Sequence, residues 1–67
     1  MNCALLKAAR ISRGKTQEDM AIGLGYKNRS SYCQIENGTV KVSSDTAKAI
    51  NENLELSIEE YAKIFLA

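Results

Sequence analysis

"TQEDMAIGLGYKNRSSYCQIENG", residues 16–38, reads as two short helices and the turn that joins them. Thr16 has an N-cap side chain, and Gln17, Glu18 and Asp19 follow it into the first turn, where acids suit the positive end of the helix dipole. Met20, Ala21 and Leu24 make the buried stripe of this helix, which ends at Gly25. Tyr26 and Lys27 form the turn, and Asn28 caps the next helix, which runs through Asn37 to Gly38. On that helix Tyr32 and Ile35 lie three apart and face the core, while Arg29, Ser30 and Gln34 fall on the opposite side. An outer face of guanidinium, hydroxyl and amide groups, with few ordinary Lys–Glu pairs, suits a partner that is read through hydrogen bonds.

The periods on either side of this stretch are helical as well. Leu5, Leu6 and Ala9 alternate with Lys7, Arg10 and Arg13 in a helix over residues 3–13 that meets Gly14. Thr39 to Val42 is a loop. Ser43 or Ser44 caps a fourth helix over Asp45, Thr46, Ala47, Ala49 and Ile50, with Leu54 and Leu56 closing it into the core. Ser57-Ile58-Glu59-Glu60 has the capping-box form, so a fifth helix is expected to run to the C-terminus. On it Ile58, Tyr61 and Phe65 are expected inward, leaving Ala62, Ile64 and Leu66 toward the outside. The expectation is an all-α fold: one compact five-helix domain over residues 1–67.

Composition narrows the function classes. A chain of 67 residues buries only about 60% of the surface its unfolded form exposes, so its core must be economical. There is no histidine, and Cys3 and Cys33 are the only cysteines, so thiols and imidazoles cannot assemble a zinc site. The two cysteines read as free thiols at partly buried helical positions, or as a redox or intermolecular pair. No cofactor and no metal is expected. The carboxylates show no pairing that would serve acid–base chemistry, so an enzyme is not expected. No apolar run approaches the roughly 18 residues of a membrane span, and the N-terminus lacks the order of a signal peptide. A cytoplasmic, nucleoid-associated protein with no membrane partner is the reading. Residues 1–51 carry eight Lys or Arg against four acids, whereas residues 52–67 carry Lys63 against four glutamates. That asymmetry suits a module with one face toward phosphate and another away from it.

Two helices joined by the four residues Gly25 to Asn28 form a helix-turn-helix unit over about residues 16–37. Here the chain is similar to the phage-repressor-like helix-turn-helix family, the lambda, Cro and 434 repressor type (XRE-like). The similarity covers roughly Leu5 to Phe65 and is carried by "LKAAR" (6–10), "TQEDMAIGLG" (16–25), "IENG" (35–38) and "SSDTAKAI" (43–50). The connection "GYKNRS" is one residue longer than the commonest turn of that family. Lys15, Ile22 and Gly23 also depart from its pattern, and Gly23 should weaken its helix by up to about 1 kcal/mol relative to Ala.

The resemblance implies a lambda-repressor-like DNA-binding fold and assigns positions in it. Arg29, Ser30 and Gln34 match those that face base edges, and Asn28 matches the cap of the recognition helix. Gln17 matches a residue that holds a phosphate at a helix N-terminus. Lys41 and Ser43 lie where the loop and fourth helix approach the DNA backbone. Thr16 and Lys27 complete the backbone set. Arg10 and Glu36 match an internal ion pair between the first and third helices.

The chemistry agrees independently of the family. Arg can donate two parallel bonds to guanine O6 and N7, and Gln can bond both groups on the edge of adenine. Glu on that face would repel phosphate. The expected function is a sequence-specific double-stranded DNA-binding transcriptional regulator, a repressor of phage or bacterial type. It would bind an operator as a homodimer at least on DNA. The alternative is a protein-interaction module on the same scaffold, an antirepressor, antitoxin or co-regulator acting on a regulatory protein partner. Ile22, Ile64 and Leu66 are the candidate dimer or partner surface.

Overall fold

The computed structural model describes residues 1–66. Each helix begins where a short polar side chain turns back on the backbone. Asn2 Oδ1 accepts from Leu5 N at 3.1 Å and opens α1, Cys3–Ser12. Thr16 opens α2, Gln17–Gly23, with a reciprocal capping box: its hydroxyl accepts from Asp19 N at 3.0 Å while Thr16 N donates to Asp19 Oδ2 at 2.9 Å. Asn28 opens α3, Arg29–Glu36, and Ser43 opens α4, Ser44–Leu54. Ser57 and Glu60 form a second capping box at α5, Ile58–Tyr61. Satisfying orphan N–H groups in this way matters most when the helices are this short.

The helices end as deliberately as they begin. α2 stops at Gly23, two residues before the glycine expected to end it; Leu24 caps it, and Gly25 takes the left-handed φ of 80°. Gly25 N then donates to Ile22 O at 3.1 Å and Tyr26 N to Ala21 O at 2.9 Å, the paired bonds of a Schellman motif. This closure aims the chain away from α2 and into the turn. α4 ends without glycine, because Glu55 itself adopts the left-handed conformation at φ 52°.

Around one core, α2 packs against α3, α1 lies against α3, and α4 meets α2. Leu6, Ala9, Met20, Ala21, Tyr32, Ile35, Ile50, Leu54 and Ile64 fill it. Gly23, read from sequence as a weak point, is where α2 comes close to α4. A Cβ there would run into the Asn53 amide, whose Nδ2 donates to Ala49 O at 2.9 Å and toward Gly23 O at 3.4 Å.

The C-terminus departs from expectation. Four residues of α5 wind as α-helix, and Ala62–Leu66 continue as a wider π-helical turn. Ile64, expected outside as part of a partner surface, is 2% exposed and belongs to the core, while Ile58, expected inside, is 90% exposed. The reason is the packing of Ile64 into the core, and a side chain whose second partner lies far away in sequence agrees with it. Arg13 donates through Nη1 and Nη2 to the Glu60 carboxylate at 2.9 and 2.6 Å, and through Nε to Leu54 O at 2.6 Å. Glu60 therefore faces α1, and Ile64, four residues on, faces it too. The backbone seals this choice, since Asn2 N donates to Ile64 O at 2.7 Å.

Candidate nucleic-acid interface

The outward side of α3 begins at its cap. Asn28 Oδ1 accepts from Ser31 N at 3.3 Å, and the Ser30 hydroxyl donates to the same oxygen. Arg29, Ser30 and Gln34 are all exposed, whereas Tyr32 and Ile35 are buried beneath them. α3 contains a single acid, Glu36, and it is turned inward at 6% exposure. No negative charge is left on the outer face of this helix.

Glu36 is neutralised where it is buried. Arg10 Nε and Nη2 donate to its two carboxylate oxygens at 2.8 and 3.1 Å, and Arg10 Nη1 donates to Lys15 O at 2.8 Å. One guanidinium thus ties α1, the turn before α2 and the end of α3 together. Burial by itself would raise the Glu36 carboxyl; the hydrogen bonds and charge of Arg10 prevail and hold it below its ordinary 4.5. The Tyr32 hydroxyl is sealed in nearby without a hydrogen-bonding partner of good geometry, and burial beside Glu36 pushes the phenol well above its ordinary value.

The structure brings some of the sequence-selected residues together. Thr16 and Gln17, at the start of α2, share a shallow depression of about 530 Å³ with Arg29 at the start of α3, and Lys15 joins them on its wall. Glu18 also lines it, so its charge is mixed. Lys41 and Ser43 line a separate groove of about 410 Å³ beyond the end of α3, where the Cys3 thiol comes against Gly38. Lys27 and Asn28 are exposed in the connection between α2 and α3. Ile22 is 68% exposed on α2, and Leu66 is 73% exposed at the C-terminus.

Two features are not visible in the sequence pattern. Lys15, a departure from the family pattern, has a structural role through its carbonyl, which receives Arg10 Nη1. Ile58 has core-like helical spacing and yet lies in solvent. A hint was present: Glu60 two residues later has to satisfy a capping box, and its free oxygen can then reach a cation on another helix. Among the described residues no three His, Cys, Asp or Glu side chains gather to hold a metal ion. No described helix is long and apolar enough to cross a membrane.

A family model described as helix-turn-helix matches the chain over residues 6–61. No curated protein and no solved structure matches it.

Proposed function

We propose that this chain, which belongs to the helix-turn-helix family of the lambda, Cro and 434 repressor type, is a sequence-specific repressor that lays α3 in the major groove of an operator. The family is one of DNA-binding regulators rather than enzymes. The observation that carries the reading is the acid-free outer face of α3: its one carboxylate is folded inward against Arg10, while Arg29, Ser30 and Gln34 are free to meet base edges. Thr16, Gln17, Asn28, Lys27, Lys41 and Ser43 would hold phosphates on either side, fixing register without reading sequence. Such a protein would work in the cytoplasm, at the nucleoid.

An eight-residue recognition helix reaches few base pairs, so the operator is best read twice, by a homodimer on two half-sites about one helical turn apart. The surface that suits this is the C-terminal ridge of Ile58 and Leu66 beside a groove of about 450 Å³ between α4 and α5, floored by Leu56, Tyr61 and Ala62. Tyr61 and Leu66 border both this groove and the one that holds Lys41 and Ser43, so joining two copies there would bring their backbone-contacting loops beside the two-fold axis. A second reading, a regulatory protein partner, is favoured by Ile22 and Ile11, which remain 68% and 56% exposed.

Selection from a random duplex library, followed by binding to the winners at several salt concentrations, tests the proposal. A palindromic consensus is expected, with log K falling by about 0.9 per log unit of salt for each phosphate neutralised. No enrichment, with weak binding at every salt concentration, would overturn it and leave the partner reading.

A further inference from the structure

Resting on the base-reading role of α3, we propose that Ser30 is a specificity-determining residue that recognises only an amino group on a base edge, the 4-amino of cytosine or the 6-amino of adenine. The orientation of the Asn28 amide is settled by the helix cap: a backbone N–H can only donate, so the atom that receives Ser31 N must be the amide oxygen. That oxygen has no hydrogen, so in its contact with Ser30 the hydroxyl must be the donor. A serine hydroxyl owns one proton and two lone pairs. With the proton committed to Asn28, what Ser30 offers outward is an acceptor.

An unconstrained serine rotates to suit donor or acceptor, which is why serine ordinarily discriminates poorly between bases. Here Asn28 Oδ1 draws the Ser30 proton toward the cap, an oxygen that also receives Ser31 N at 3.3 Å and the Ser31 hydroxyl at 3.5 Å. Cytosine and adenine present amino donors in the major groove, whereas guanine presents O6 and N7 acceptors and thymine presents O4. An acceptor set against an acceptor forfeits a bond and leaves two lone pairs opposed. With the amide oxygen engaged by the cap, Asn28 has its Nδ2 donors left for the phosphate role proposed for it. The cap residue and the residue two beyond it thus form a fixed donor–acceptor edge, while Arg29 between them supplies donors only.

The test uses the full chain and its selected operator. Ser30→Ala identifies the base pair under Ser30 as the position whose preference it flattens. At that position the amino-bearing base is replaced by its deamino analogue, purine for adenine or 2-pyrimidinone for cytosine. In a second duplex, 7-deazapurine bases remove the N7 acceptor. Wild type is expected to lose roughly three- to tenfold in affinity with the deamino base and little with the deaza base, and Ser30→Ala to be indifferent to both. Both Asn28 variants should bind every duplex more weakly, because each loses the amide donor to phosphate. The readout is the ratio between native and deamino duplexes, which Asn28→Asp, keeping an acceptor for the hydroxyl, should retain and Asn28→Ala, freeing the proton, should relax. A loss confined to the deaza duplex would overturn the inference while leaving DNA reading by α3 intact. A failure of wild type to select any operator would overturn both.

Discussion

Glu36, at the end of α3, receives two hydrogen bonds from Arg10 of α1 at 2.8 and 3.1 Å, with the two side chains 3% and 9% exposed. The pair lies beneath the helix proposed to read DNA and sets its rotation against the scaffold. Removing one partner strands the other charge in a site with little water, a loss of about 3–5 kcal/mol. A domain of this size is stabilised by only about 3–10 kcal/mol in total. Glu36→Gln is therefore expected to lower the urea midpoint steeply, to the edge of unfolding. Replacing both partners, Arg10→Met with Glu36→Leu, should recover most of the loss. A double variant as unstable as the single one would show that the pair is needed for more than charge compensation.

Acid should destabilise the protein over a defined window. Arg13 and the backbone of Ser57 hold the Glu60 carboxyl down at about 2, and Arg10 keeps Glu36 below its ordinary 4.5 against the opposing effect of burial. Folded carboxyls lowered in this way contribute stability that is complete above the unfolded value and is lost as pH falls toward the folded one. The melting temperature should hold above about pH 5 and fall steadily from there toward pH 2. Glu60→Gln should flatten the most acidic part of that fall and leave the part due to Glu36. Thermal melts of both proteins across this range check it.

Gly23→Ala offers a direct contest between local propensity and packing. In an isolated helix alanine would be favoured by about 1 kcal/mol. Here its Cβ meets the Asn53 amide, which must swing away and give up its bond to Ala49 O. The substitution is expected to stabilise less than propensity promises, or to destabilise. In an Asn53→Ala background the same change should stabilise in full. A double-mutant cycle by urea unfolding should give a coupling of about 0.5 kcal/mol or more; additivity would refute the contact.

Ile58 and Ile64 exchange the roles their spacing suggests, and two substitutions separate them. Ile64→Ala opens a cavity in the core and should cost about 2–5 kcal/mol. Ile58→Glu alters a side chain that is 90% exposed, so the monomer should unfold within about 0.5 kcal/mol of wild type. Its expected effect is on the proposed dimer: sedimentation of the operator complex should show one copy bound where wild type shows two, and operator binding should become weaker and less cooperative. Unchanged association would move the two-fold surface elsewhere.

Local signals carried far in this chain. The N-caps at Thr16, Asn28 and Ser57 were legible, and that of α4 to within Ser43 or Ser44, because capping is a contest within four residues, decided by side-chain type and spacing. The inward positions of Tyr32 and Ile35 were legible for the same reason, since one helical face had to be buried. Ile64 was not legible. Its position goes with Arg13 reaching Glu60 across 47 residues, and with the backbone bond from Asn2 to Ile64.

The sequence by itself determined the number of helices, the caps of α2, α3 and α5, the presence of a short turn between α2 and α3, and the polar character of the outward face. These follow from periodicity and from side chains that act on their own backbone. The turn itself runs from Leu24 to Asn28, one residue longer than the Gly25–Asn28 expected. Only the tertiary structure decided how the helices rotate against one another: Glu36 inward on Arg10, Gly23 under Asn53, Ile64 in the core and Ile58 in solvent. Helical periodicity marks a face as apolar but cannot choose between two candidate faces on a short, greasy helix. That choice falls to contacts between residues remote in sequence: here the burial of Ile64 in the core makes it, and the Arg13–Glu60 pair and the bond from Asn2 N to Ile64 O agree with it.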